Sequence, residues 1–228
     1  MNTILTVPLL TTALLISRIL VSNISAQINQ TTAPSKPTVQ HNAKVANSNS
    51  GNSVWIDKHN GRRYPLPSSI GGKPVSFYLK NPKVSLLAKA LYTAHFRPTD
   101  NDSTTQLLAL VTTNSQEIRP FYRWCLDFTI AISDGALGEY PGKPALAYAT
   151  KFPQEFFAYM DKDNTGGRYK SWVEIIAYSG LGSYNETMAA TRQTLVDKMA
   201  ENCTPCSDKT SRRIRGFAND VTRFRTKR

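Results

Sequence analysis

Histidine and cysteine are scarce in this chain, three residues of each, which leaves little material for a disulfide-dense scaffold or a histidine-rich metal site. Aromatic and acidic side chains are absent from its first 54 residues; the first aromatic is Trp55 and the first carboxylate Asp57. A packed core needs large side chains to offset chain entropy, so the folded body is expected within 55–228. No G-x-S-x-G elbow, S-x-x-K arrangement, phosphate loop or dinucleotide fingerprint occurs. The apolar pattern is not a sustained heptad, which excludes a coiled coil, and no fixed-period repeat supports a solenoid.

What is present divides the chain into four. The apolar run Ile4 to Ser17 and the small residue Ala26 read as a signal peptide over 1–26, cleaved before Gln27. The rival reading is an uncleaved anchor over 4–22, which has the length to span a bilayer with Arg18 snorkelling near one end. Residues 27–54 hold 15 Asn, Gln, Ser or Thr among 28 positions and read as a disordered linker, with His41 solvated inside it. The stretch 55–208 is a near-neutral domain of seventeen basic and fifteen acidic residues. The last twenty residues, 209–228, carry eight basic residues against Asp220 alone, so the basic surplus is concentrated at that end.

Helix signals recur through the body and predict an all-α fold of six or more short helices packed as an irregular bundle. Asn81-Pro82 predicts a helix start before Val84, Leu87, Ala88 and Leu91. Capping boxes at Ser103–Gln106, Asn114–Glu117 and Ser183–Glu186 predict three more starts. Ile118, Phe121, Tyr122, Cys125, Phe128 and Ile132 follow helical spacing, and Trp124, Leu126 and Ile130 add apolar surface behind them. That helix should be central, buried nearly all round and ended at Asp134-Gly135. Pro144 and Pro153 each predict a short helix, and Tyr169, Trp172, Val173, Ile176 and Ala177 another. The Gly- and Pro-rich stretch 55–80 reads as a wrapped loop, with a short strand at Val75 to Leu79.

The constellations that could carry chemistry are few. Asp161-Lys-Asp163-Asn-Thr165-Gly166 opens like a calcium loop, but positions 8 and 12 are Arg168 and Trp172, so a polar turn is expected and no metal. Cys203-Thr-Pro-Cys206 follows a helix, where the dipole disfavours a thiolate, and reads as a local disulfide; pairing with Cys125 is the alternative to a buried free Cys125. Asp127 is a candidate buried acid, although Arg123 one turn earlier offers an ion pair. Glu139 and Glu155 are candidates for a two-carboxylate site. No cofactor is expected.

The C-terminal segment combines an apolar stripe, Ile214, Phe217, Val221 and Phe224, with Arg212, Arg213, Arg215, Arg223 and Arg225. Either the stripe completes the core, or the helix lies on an anionic membrane or binds an acidic partner. Nucleic acid is disfavoured by export and by the lack of a recognised module. The reading as a whole is an exported helical domain with a non-enzymatic binding or structural role. The alternatives are a small hydrolase of an envelope polymer using carboxylates such as Asp127 or Glu139, and an adhesin acting through the basic helix.

Overall fold

The computed structural model describes residues 43–46, 53–181 and 187–226, all inside the unit Pro37–Arg228. The segment 1–26, most of 27–54, the capping box at 183–186 and the last two residues lie outside the described residues. The fold is mainly helical, with two small antiparallel sheets at its start. No helix among the described residues is long and apolar enough to cross a membrane.

The sheets correct the expectation of a loop over 55–80. Strands β1 (Ala43–Ala46), β2 (Val54–Asp57) and β3 (Arg63–Pro65) form one sheet, so five residues of the segment read as linker, Ala43–Ala46 and Val54, are strand. Trp55 and Asp57 alternate inward along β2, and Trp55 packs edge-on against Tyr64 and Phe128. Strands β4 (Ser69–Ile70) and β5 (Lys73–Pro74) are joined by Gly71-Gly72, both with positive φ, the geometry of a two-residue hairpin. Strands of two to four residues are too short to display a period of two, which is why the sequence pattern missed them. The proposed strand at Val75 to Leu79 is instead helix α1 (Val75–Lys80). Its residues Val75 and Tyr78 are buried one turn apart, and Tyr78 stacks on Phe121 with ring centroids 4.9 Å apart. Tertiary packing thus overrides the β-propensity of a six-residue segment.

The remaining helices are α2 (Leu86–Tyr92), α3 (Asp102–Ala109), α4 (Arg119–Ile132), α5 (Gly142–Lys151), α6 (Pro153–Met160), α7 (Gly167–Ile175), α8 (Met188–Glu201) and α9 (Asp208–Thr226). Several starts differ from the expected caps. Ser85, not Asn81, caps α2; Asn101 caps α3 by accepting from the Thr104 N–H; and α4 begins after Ile118 without a side-chain cap. Helix α4 ends at Ser133, and Gly135 opens a short 3₁₀ helix, Gly135–Glu139.

Helix α4 is central, as its all-round apolar surface implies. Its Phe121, Tyr122, Cys125 and Phe128 enter a core with Trp55, Tyr78 and Leu91, while its Leu126 enters a second core with Tyr148, Phe156, Trp172 and Phe217. In that second core α5 meets the π-turn Ile176–Gly180 backbone to backbone. A Cβ on Gly180 would lie 2.6 Å from the Gly142 carbonyl oxygen, so only glycine permits this approach. Helix α9 is part of the same core: Ile214, Phe217 and Val221 are buried and Phe224 packs against them.

Candidate functional site

The polar strip of α4 organises the interior. Arg119, Arg123 and Asp127 stand at i, i+4 and i+8, opposite Glu155 and Tyr159 of α6 and Arg168 and Trp172 of α7. Glu155 receives Arg119 Nε at 2.9 Å on one oxygen and Arg123 at 3.1 Å on the other. Arg123 also donates to the Tyr148 hydroxyl at 2.9 Å and stacks its guanidinium 4.0 Å from the Tyr159 ring centroid. Asp127 accepts from Trp172 Nε1 at 2.7 Å, from the Tyr159 hydroxyl at 2.7 Å and from Arg168 Nε at 3.3 Å. The expected Arg123–Asp127 pair along α4 therefore does not form; each partner is taken by another helix. Burial raises the Tyr159 hydroxyl's pKa and the Asp127 charge raises it further, which keeps it a donor.

These contacts account for the candidate acids. Asp127 is filled by three donors, and Glu155 is engaged by two buried guanidinium groups, so both are committed to internal partners. Glu139 lies elsewhere, on the rim of a groove of about 460 Å³ shared with Thr105, Thr112 and Lys143, whose described lining contains no second acid. Glu139 and Glu155 are thus held in different surroundings.

The calcium-like loop is a capped turn. Asp163 accepts from the Thr165 hydroxyl and from the N–H groups of Thr165 and Arg168, which together hold its pKa down to about 2. Asp161 is bound by both terminal nitrogens of Arg213, at 2.8 and 2.6 Å, and this pairing lowers its pKa. Among the described residues no cluster of His, Cys, Asp or Glu could hold a metal ion.

Cys203 and Cys206 stand at disulfide distance in the bend between α8 and α9, and Cys125 is buried and free, its pKa raised by burial. The bend corrects one argument from sequence. Cys203 follows α8, but Cys206 immediately precedes the Ser207 cap of α9, so the two sulfurs sit at opposite helix poles.

The five C-terminal arginines separate. Arg213 is committed to Asp161, with its guanidinium over the Phe157 ring. Arg212 and Arg215 are exposed. Arg223 lines a groove with Arg192 beside α8, and Arg225 lines another, of about 540 Å³, between α5, the π-turn, α8 and α9. Because Ile214, Phe217 and Val221 are buried, α9 has no apolar face to lay on a membrane.

The 540 Å³ groove falls within the size range of small-ligand clefts. Leu146, Ala147, Leu181 and Leu195 form its apolar wall, Thr150, Thr191 and Thr194 add hydroxyls, and Lys143, Lys198 and Arg225 supply charge. No carboxylate and no aromatic side chain belongs to its described lining. Of these residues, sequence reasoning singled out Arg225 alone. The others were legible only as a spacing: Lys143, Leu146, Ala147 and Thr150 on α5, and Thr191, Thr194, Leu195 and Lys198 on α8, both at i, i+3, i+4 and i+7.

In comparisons with known proteins, the chain matches no protein-family model, no curated protein and no solved structure.

Proposed function

We propose that this chain is an exported helical binding domain that takes an anionic ligand in the groove between α5 and α8. The observation that carries the reading is the contrast between interior and groove. Inside the domain Arg97, Arg119, Arg123 and Arg168 are each matched to a carboxylate, whereas Lys143 and Lys198 stand in a groove whose described lining contains no acid, and neither has an ion pair among the described residues. Low-dielectric walls around one sign of charge concentrate counter-ions of the other sign. The disulfide-distance pair at 203–206 supports export, because such pairs persist in oxidising compartments. The hydrolase reading has less support, since Asp127 and Glu155 are saturated by internal donors and Glu139 stands without a second acid in its groove.

The test is binding of labelled dextran sulfate, followed by fluorescence anisotropy across a salt series. Binding that weakens with salt and falls in Lys143→Gln and Lys198→Gln is expected. Binding indifferent to both lysines would sink the reading.

A further inference from the structure

Resting on the reading of this groove as an anion site, we propose that its ligand is an extended acidic peptide, with two carboxylate side chains flanking a short apolar stretch. The first argument is the direction of the two walls. The two helices lie side by side along the groove, and Gln154, just past the end of α5, donates to the Pro205 carbonyl just past the end of α8 at 2.9 Å, which sets their trailing ends together. The helices therefore run the same way. Lys143 stands at the leading end of the groove and Lys198 at the trailing end, with Leu146, Ala147 and Leu195 between them. Both lysines are exposed, and neither forms an ion pair among the described residues.

Charge at both ends of an apolar floor selects against a single-headed amphiphile, whose tail would end against the second ammonium group and desolvate it. Among the described lining residues there is no aromatic face on which a base could stack. Thr194 brings a hydroxyl to the middle of the groove, where a peptide has amides to meet it and an alkyl chain has nothing. Seven residues of helix separate Lys143 from the level of Thr150, about 10 Å. An extended peptide covers that distance in about three residues, so the matching pattern is acid, two apolar residues, acid. The chain's own first 54 residues contain no Asp or Glu and cannot supply it.

The experiment uses the full chain and a fluorescein-labelled peptide carrying Glu-Leu-Ala-Glu in a Gly-Ser frame. Its controls are Gln-Leu-Ala-Gln and Glu-Gly-Gly-Glu in the same frame, with laurate and dextran sulfate as competitors. Saturable binding is expected for the first peptide and at least tenfold weaker binding for either control. Lys143→Gln and Lys198→Gln should each weaken it about two- to fivefold, in line with exposed ion pairs. Ala147→Glu, at an exposed position, should abolish it while leaving the thermal melt unchanged. Equal binding of the Gln control, or indifference to all three variants, overturns the proposal. If dextran sulfate or laurate binds in a lysine-dependent way and the peptide does not, the peptide is wrong and the anion groove stands. If no anion depends on either lysine, both fall.

Discussion

Arg123 bonds Glu155 of α6 at 3.1 Å rather than Asp127, its neighbour one turn along α4. Arg119 and Arg123 are almost wholly buried, 4% and 5% exposed, and Glu155 is the carboxylate that both of them reach. Replacing it strands two guanidinium groups inside the domain. Glu155→Gln should cost about 2–3 kcal/mol, between the surface and the buried range, because the Glu155 side chain is 32% exposed. Urea unfolding of variant and parent measures it; a loss under 1 kcal/mol would mean that the arginines find water.

Asp57 should carry an acid-dependent part of the stability. Burial alone would raise its pKa, but the fork of Arg97 at 2.9 and 3.0 Å and the His59 N–H outweigh that and hold it below 3.8. A folded-state pKa below the unfolded one stabilises above the unfolded value, and the gain is lost as pH falls through the folded value. The melting temperature should therefore drop on acidification below about pH 4, and Asp57→Asn should be less stable at pH 7 with a shallower acid dependence. An identical slope in the variant would remove Asp57 as a source.

Helix α9 should be indispensable to the fold. Phe217 is fully buried against Phe156, with ring centroids 5.0 Å apart, and Phe217→Ala should cost about 3–5 kcal/mol. Deleting 209–228 should leave the protein unfolded or far less stable, whereas Arg→Gln at the exposed Arg212 and Arg215 should shift the melting temperature little. A truncated protein that melts like the full chain would contradict the assignment of α9 to the core.

Gly180→Ala should be disproportionately damaging for the addition of one methyl group. The new Cβ would fall 2.6 Å from the Gly142 carbonyl oxygen and force α5 off the π-turn. The expected loss is about 3 kcal/mol, the upper part of the overpacking range. Gly216→Ala, a helical position whose added Cβ meets no atom within 4 Å, serves as the comparison without a clash.

Thiol titration separates the three cysteines. With the 203–206 pair formed and Cys125 buried, native protein should show no reactive thiol, denatured protein one, and denatured, reduced protein three. Three thiols on denaturation without reductant would place the pair in its reduced form.

The helical class, the centrality of α4 and the apolar stripe of α9 were legible in the residues alone, because each rests on a periodicity that a single segment carries. The sequence also marked Cys203-Cys206, whose spacing of three suffices to bring two sulfurs together in a bend. Tertiary structure decided the rest. Whether α9 met lipid or protein depended on Phe156 and Phe157 standing beneath it. Whether Arg123 paired along its helix or across to Glu155 depended on how deeply α6 packs, since burial makes the cross-helix partner the one that removes a charge from low dielectric. The strands at 54–74 were hidden by their shortness. The groove was hidden because Lys143 and Lys198 lie 55 residues apart and each alone resembles an ordinary solvated lysine. Their common setting exists only once Gly142 and Gly180 let α5 close on the π-turn and bring α8 alongside.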